Sequence, residues 1–342
     1  MKKKYLALLL QIALLGNVMA EGLHLFKHDD KYGYFDDKLR VAIFPEYYTA
    51  ENFHDGFAVV SKKVEGRTGC SVIDENGRVP FPELEGCSTL MYEGNGIYYN
   101  NWDGYLFNVF ENKKISVEYH KVRGPYYKVF PKNVLYALNE GLIDSNGNIR
   151  ELPGEWRKIY SQVDGAGLAF DSNFDMKIID NDGNVLLSDL FDCAFNFSEG
   201  LMAVETKTKC GFINNRGEFV FECTFVPLIE YNPPSINYFF TEGVAVVQVR
   251  DGIYKIFDRQ GNVILGETRF KSASICADGR ILVQDEKTEK YGYLDSKGRQ
   301  VIPPLFDKAS DFYNGYAYGK IDGKDIIIKK DGKYILSSEL MK

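Results

Sequence analysis

The stretch Lys290–Pro304 reads KYGYLDSKGRQVIPP and decides the fold of this chain. Two short runs of aromatic and β-branched residues flank Asp295–Gly298, a pattern that predicts a β-hairpin. We expect a type I turn followed by Gly298 in the left-handed region, because glycine has no Cβ to clash there. The Asp295 side chain is expected to accept hydrogen bonds from the turn amides. Pro303-Pro304 is expected to end the second strand, since proline cannot donate to a ladder.

A third strand is predicted after a linker. Asn314-Gly315 is a second turn signal, and Tyr316-Ala317-Tyr318 has the composition of a strand. One unit is therefore predicted to be a three-stranded antiparallel meander plus a crossing linker.

Most of the remaining chain consists of diverged copies of this unit. The turn signature is an Asp or Asn three residues before a Gly, and it recurs at Asp74, Asp144, Asp180, Asn214 and Asp258. The first unit (Lys31–Asp36) lacks the turn glycine, the last carries Ile328–Gly332, and Phe110–Lys113 fits a degenerate unit. Counting these, the sequence indicates nine units, with units two to four degenerate. Self-similarity at such a period is typical of repeat units that bury their apolar faces on their neighbours.

A second motif accompanies the first in fixed order. It joins an aromatic residue to an acidic or polar residue, a glycine and an apolar run. Its copies are Phe53–Val60, Phe197–Val204, Phe240–Val246 and Phe312–Tyr318. Two linked motifs at one period are a much stronger signal than either motif alone.

Together these motifs resemble the WG-repeat (KWG-repeat) proteins of bacteria. The family linker, Phe/Tyr-Asp-x-Ala, is visible at Phe191–Ala194 and Phe306–Ala309. The resemblance covers roughly residues 31 to 336 and is best from residue 174 onward. The family tryptophan is replaced by Tyr32, Tyr291 or Cys210. The resemblance implies a β-rich repeat fold and often an extracytoplasmic setting. It implies no reaction, because the family carries no catalytic motif to transfer.

The first twenty residues have the features of a signal peptide. Lys2–Lys4 precede the mostly apolar run Tyr5–Leu15, and small residues lead to a predicted cleavage after Ala20. The apolar run is too short for a membrane span. We therefore expect a periplasmic or secreted protein with no membrane span after cleavage. Residues 21–342 are expected to form one repeat array.

The charge of the chain limits its partners. Removing three lysines and no acid takes the formal net charge from −7 to −10. An acidic chain with no basic run argues against nucleic acid and against anionic membrane surfaces.

We expect an all-β protein built as a tandem array of about nine three-stranded meanders. Two arrangements compete, an open or spiral array and a closed propeller-like ring. The first and last units both look complete in sequence, so neither terminus has a strand to lend to the other. Nine units also exceed the usual four to eight propeller blades. The open array is therefore our prediction, and the ring is the alternative.

Six cysteines in an exported chain are compatible with disulfides. Cys210 and Cys223 flank one predicted hairpin and are expected to be diagonal neighbours on one face, which makes them a candidate disulfide. Cys70 with Cys87 and Cys193 with Cys210 are competing pairs, each 17 residues apart. The other alternative is that the cysteines are unpaired and buried as small apolar residues.

The leading functional hypothesis is a non-catalytic scaffold that binds a protein or a cell-envelope polymer. Two irregular insertions, residues 82–135 and 226–239, are the expected source of binding loops. The predicted contacts are their aromatic residues Tyr126, Tyr127, Tyr231 and Tyr238. The sequence predicts no catalytic residue, metal site or cofactor. The alternatives are a carbohydrate-active enzyme using paired Asp/Glu from adjacent units, and a structural spacer.

Overall fold

The computed structural model describes residues 22–342 except 65–66, 86–89, 95, 101–104, 116–133, 138–140, 145–147, 160–161, 189–192, 195–196, 206–209 and 224–238. The described strands form eight antiparallel sheets, which we call blades 1 to 8 in chain order. Among the described residues, no helix is long and apolar enough to cross a membrane.

The first three blades contain three or four strands each. Blade 1 holds β1 (His24–His28), β2 (Lys31–Phe35) and β3 (Val41–Tyr47). Blade 2 holds β4 (Thr49–Ala50), β5 (Phe57–Val64) and β6 (Arg67–Asp74), and a 3₁₀ helix (Pro82–Leu84) follows. Blade 3 holds β7 (Leu90–Gly94), β8 (Ile97–Asn100), β9 (Tyr105–Asn108) and β10 (Lys113–Ile115).

Blade 4 is the largest sheet, with eight strands. They are β11 (Val134–Ala137), β12 (Gly141–Ile143), β13 (Ile149–Glu151), β14 (Trp156–Ile159), β15 (Gln162–Val163), β16 (Ala166–Asp171), β17 (Met176–Asp180) and β18 (Val185–Leu187).

The last four blades have four strands each. Blade 5 holds β19 (Cys193–Ala194), β20 (Leu201–Glu205), β21 (Cys210–Asn214) and β22 (Phe219–Cys223). Blade 6 holds β23 (Phe240–Thr241), β24 (Val244–Arg250), β25 (Ile253–Asp258) and β26 (Val263–Arg269). Blade 7 holds β27 (Ser272–Ala277), β28 (Arg280–Gln284), β29 (Tyr291–Asp295) and β30 (Gln300–Phe306). Blade 8 holds β31 (Lys308–Ala309), β32 (Tyr316–Ile321), β33 (Lys324–Lys329) and β34 (Tyr334–Leu336), and helix α1 (Ser337–Leu340) follows.

The blades close into a ring, so the protein is an eight-bladed β-propeller and the predicted open array is wrong. Eight apolar core clusters each join two neighbouring blades. An open array of eight blades would need only seven such interfaces. The eighth joins blade 1 to blade 8 through Phe26, Phe35 and Ile327. Burial of apolar surface is the main favourable term in folding, and here it acts at every blade junction.

Ring closure uses blade packing and needs no exchanged strand. Strand β1 lies against β32 and β33, and α1 contacts both β1 and β34. The rings of His24 and Tyr316 lie 4.5 Å apart across this junction. Among the described strands, neither terminus exchanges a strand with the other, but a ring can close without such an exchange.

The predicted count of nine three-stranded units is also corrected. The units containing Asp144 and Asp180 belong to one sheet, because β11 pairs with β15 through Val134 and Leu135. The linker of the predicted meander adds a short strand, as β31 does in blade 8. Most described blades are therefore four-stranded.

The turn chemistry predicted for Asp295–Gly298 is confirmed. Gly298 has φ +72°. The Asp295 carboxylate accepts hydrogen bonds from the amides of Lys297 and Arg299, both at 2.9 Å. The predicted strand end at Pro303-Pro304 is wrong, because β30 continues through both prolines to Phe306. This strand lies at the outer edge of its blade, where a missing N–H is tolerated.

The glycine of the KYGY segment is required by close packing. A Cβ on Gly292 would lie 2.6 Å from the carbonyl oxygen of Ile302 and 2.8 Å from the nitrogen of Pro304. A Cβ on Gly33 would meet the equivalent backbone, 2.6 Å from the oxygen of Ile43. In both blades the bulged outer strand lies so close to the neighbouring strand that only glycine fits at this position of that strand.

Candidate binding site

The four tyrosines predicted to contact a partner, Tyr126, Tyr127, Tyr231 and Tyr238, lie outside the described residues. Their role stays a prediction. The candidate disulfide Cys210–Cys223 also stays a prediction, although the backbone places these residues directly opposite each other and not diagonally. Two one-residue shifts account for this: Asn214 pairs with Glu218 at the turn, and a bulge follows between Phe212 and Ile213. A third cysteine, Cys276, is a buried free thiol.

Acidic residues at the hairpin turns of the second sequence motif connect the blades. Asp55, Glu199 and Glu242 belong to the copies found in the sequence, and Asp164 and Asp278 occupy equivalent turns that the motif search missed. Each begins a two-residue hairpin and has φ between +51° and +53°, as type I′ turns require. Each carboxylate accepts a hydrogen bond from the turn glycine amide of the next blade. The pairs are Asp55 with Gly96 (2.9 Å), Asp164 with Gly200 (3.1 Å), Glu199 with Gly243 (3.0 Å), Glu242 with Gly279 (2.6 Å) and Asp278 with Gly315 (2.5 Å).

We call these five side chains the carboxylate belt. Each carboxylate accepts a hydrogen bond from a backbone amide of the next blade, so the belt links neighbouring blades. The same hydrogen bonds leave its members poorly placed for acid–base chemistry. This accounts for the acidic position of the motif without an enzymatic role.

A cavity of about 530 Å³ lies between blades 7 and 8. Three of its four charged lining residues are already paired, Lys290 with Asp307 and Glu289 with Lys271 at 2.6 Å. The fourth is Lys308. A ligand would have to displace these ion pairs, so this cavity is the weaker candidate.

A turn in blade 4 gives the stronger candidate. Residues Asp171–Asp175 connect β16 and β17 and repeat the hydrogen bonds of the Asp-x-x-Gly turns. The Phe174 amide donates to the Asp171 carbonyl (3.0 Å), and the Asp171 carboxylate accepts from the amides of Asn173 and Asp175 (both 2.9 Å). At the glycine position stands Phe174, with φ +66°. Its side chain is 60% exposed.

A bulky residue in the left-handed region costs about 1 kcal/mol relative to glycine. Leu39 occupies the same position in blade 1 (φ +60°) and packs against the core between blades 1 and 8. Burial of Leu39 offsets the strain there. Phe174 is exposed and has no such burial, so packing does not explain why a bulky residue stands at this position.

Strand β14 places two further side chains beside this turn. It pairs with β16, and the register shifts between Trp156 and Lys158, so that Arg157 lies on a bulge. The Arg157 guanidinium lies 3.7 Å over the centre of the Phe174 ring, a cation–π contact. The indole N–H of Trp156 donates to the Pro153 carbonyl at 2.9 Å, and the ring packs partly on the core between blades 3 and 4.

Trp156 and Arg157 border an open cavity of about 520 Å³, within the range of ordinary ligand sites, and Phe174 lies behind Arg157. It is lined by Glu151, Leu152, Gly154, Glu155, Trp156, Arg157 and Ser172. We call Trp156, Arg157 and Phe174 the blade 4 aromatic patch.

Sequence reasoning missed this patch because the turn search required a glycine. The signal was present, since Asp171 stands three residues before Phe174, as Asp295 does before Gly298. A search for Asp-initiated turns between two strands that also allowed an aromatic residue at the glycine position would have identified the patch. Among the described residues, no cluster of three or more His, Cys, Asp or Glu could hold a metal ion.

Comparison with known proteins identifies the repeat. The family model of the WG-containing repeat matches residues 32–63 and 291–324. The chain carries WG repeats. No curated protein matches the chain.

Solved structures of low similarity cover nearly the whole chain. BamB from Moraxella catarrhalis is 12% identical, with 93% of this chain and 94% of that chain covered and a TM-score of 0.35. AztD from Citrobacter koseri is 12% identical, with 92% of each chain covered and a TM-score of 0.44. Its apo form is 13% identical, with 92% and 93% covered and a TM-score of 0.46.

The two WG repeats share the same contact between blades. In the first, the Tyr34 hydroxyl donates to the Glu51 carbonyl at 2.7 Å. In the second, the Tyr293 hydroxyl donates to the Ser310 carbonyl at 2.7 Å. Each tyrosine also meets the phenylalanine of the next hairpin edge-on, at 4.7 and 4.8 Å. A WG repeat thus carries its link to the following blade within its own sequence.

Proposed function

We propose that this protein is an exported, non-catalytic binding scaffold that contacts a cell-envelope partner through the blade 4 aromatic patch. The observation that carries the proposal is Phe174, an exposed aromatic side chain in a turn position that favours glycine. Strained residues that packing does not explain concentrate at functional sites. Aromatic and arginine side chains are also the types that dominate binding energy.

The distribution of the acidic residues supports a binding role over catalysis. Five carboxylates that the repeat places in equivalent positions accept hydrogen bonds from backbone amides of the next blade. The turn aspartates, such as Asp295, are likewise held by turn amides and by Arg299. These groups stabilise the ring, and the ring in turn holds the patch rigid.

Export is proposed from the sequence of residues 1–20, whose basic start, apolar run and small residues fit a cleaved signal peptide. The four tyrosines of the insertions remain proposed additional contacts.

The test is a pull-down of fractionated cell envelope with purified protein, comparing wild type with Phe174→Gly. Glycine suits the turn, so this variant should fold while losing the exposed ring. The matched control is Phe44→Ala, which removes an equally exposed ring (66%) from β3 in blade 1. The proposal expects a component retained by wild type and Phe44→Ala and lost by Phe174→Gly. Equal retention by all three proteins would reject the patch as the contact.

A further inference from the structure

We propose that the blade 4 aromatic patch binds an uncharged pyranose unit of an envelope glycan. This inference rests on the proposed function and names the chemical class of its ligand. It is carried by the orientation of Trp156, the second ring at Phe174 and the polar groups of the adjoining cavity.

Trp156 offers a ring surface and no hydrogen-bond donor. Its indole N–H is used by the Pro153 carbonyl at 2.9 Å, and part of the ring packs on Leu152 and its core. The remaining half-exposed surface borders the cavity. The axial C–H groups of a pyranose carry partial positive charge, which suits the negative face of an aromatic ring.

Arg157 lines the second wall, and Phe174 supports it from behind. The centre of the guanidinium lies 3.7 Å from the centre of the phenyl ring. Arginine presents five donors in a fixed plane. It can therefore donate to ring or hydroxyl oxygens of a sugar while it holds Phe174 in place.

The remaining polar groups match hydroxyl chemistry. Glu151 and Glu155 supply acceptors, and Ser172 supplies a hydroxyl that can donate or accept. Sugar hydroxyls both donate and accept, so they can satisfy carboxylate and guanidinium partners together.

The charge of the lining disfavours an acidic sugar. Two carboxylates face one guanidinium, which leaves the cavity net negative. An acidic polymer would meet like charge there. A basic peptide is the competing ligand class, and the test separates the two.

The experiment uses full-length mature protein on resin and cell-envelope fractions prepared in three ways: untreated, oxidised with periodate and then reduced, and digested with protease. Periodate cleaves vicinal diols, so it opens pyranose rings with free neighbouring hydroxyls, the form of sugar proposed here, while leaving peptide chains largely intact. We expect retention by wild type to fall at least tenfold after periodate. We expect Ser172→Ala and Glu155→Gln each to weaken retention about fivefold, and the Phe44→Ala control to match wild type.

Each outcome has one meaning. Retention that survives periodate overturns the glycan assignment, whether or not protease removes it, while the scaffold function stands. Retention by Ser172→Ala and Glu155→Gln equal to wild type overturns the placement of the sugar in this cavity. Retention lost after periodate supports the assignment, whether the glycan is free or carried by a protein. If wild type retains nothing from untreated envelope, the proposed function itself fails.

Discussion

The Tyr313 hydroxyl in blade 8 donates a hydrogen bond to the backbone carbonyl of Phe53 in blade 2, although 260 residues separate them. The contact bypasses blade 1, whose described strands lack the short inner strand present in blades 2 and 8. The neighbouring His54 ring stacks on Tyr92 of blade 3 at 5.0 Å and meets Tyr313 edge-on at 5.3 Å. The propeller is therefore closed at its inner edge by aromatic side chains, as well as by the packing of blade 1 on blade 8.

The first prediction concerns this closure. Tyr313→Phe keeps the ring contacts and leaves the Phe53 carbonyl without its donor, so we expect a loss of about 1 kcal/mol in the free energy of unfolding. Tyr334→Phe is the control, because it removes a hydroxyl from an exposed side chain in the same blade. It should change the free energy of unfolding by less than about 0.5 kcal/mol. Urea unfolding of both variants measures the difference. Equal stability would show that the Tyr313 contact does not hold the ring.

The second prediction concerns the WG glycine. Gly292→Ala places a Cβ 2.6 Å from the Ile302 carbonyl oxygen, and the backbone must move to relieve this clash. We expect a loss of about 2–3 kcal/mol. Gly266→Ala is the control, because a Cβ there meets open space, and it should be neutral or slightly stabilising. A Gly292 variant as stable as the control would refute the close-packing explanation.

The third prediction tests the carboxylate belt. Glu199→Ala leaves the Gly243 amide without its acceptor at 3.0 Å and should cost about 1–2 kcal/mol. The control Glu286→Ala removes an exposed ion pair with Arg269 at 3.1 Å and should cost less than about 0.5 kcal/mol. Denaturant midpoints compare the two. Similar small losses would mean that the belt contributes no more than a surface ion pair.

The fourth prediction concerns pH and Glu93, which lies on β7 in blade 3. Burial raises the pKa of the Glu93 carboxyl to about 7. Folding therefore strengthens proton binding, so this group's contribution to stability is complete below its unfolded pKa of 4.5 and is lost as pH rises through about 7.

Glu93→Gln cannot ionise, so it should gain on the order of 3 kcal/mol relative to wild type between pH 4.5 and pH 8. Unfolding titrations at several pH values measure this difference. A gap that stays constant with pH, or narrows in favour of wild type at high pH, would contradict the raised pKa.

Local chemistry was readable from the sequence, and ring geometry was not. The Asp295–Gly298 turn follows from residues three positions apart, so its hydrogen bonds could be predicted. Ring closure depends on the packing of Phe26 and Phe35 against Ile327, and no local pattern links these positions. The fusion of two units into blade 4 depends on the pairing of Val134 with Val163, which is equally non-local.

The binding patch was hidden for a different reason. Phe174 breaks the local turn rule, and a search for the rule passes over its exceptions. The Asp171 carboxylate holds the geometry of this turn, so the turn tolerates a residue other than glycine at a modest cost in stability. Such exceptions are where function is most readily found.

The most direct test of the account is the free energy of unfolding of Phe174→Gly, measured beside Leu39→Gly. Relief of the left-handed strain offsets the lost Arg157 contact, so Phe174→Gly should match wild type within about 1 kcal/mol. Leu39→Gly also removes packing between blades 1 and 8 and should lose about 2 kcal/mol. A loss of 2 kcal/mol or more at Phe174, on the order of the Leu39 effect, would contradict the account, because the ring would then be structural and not a surface kept for binding.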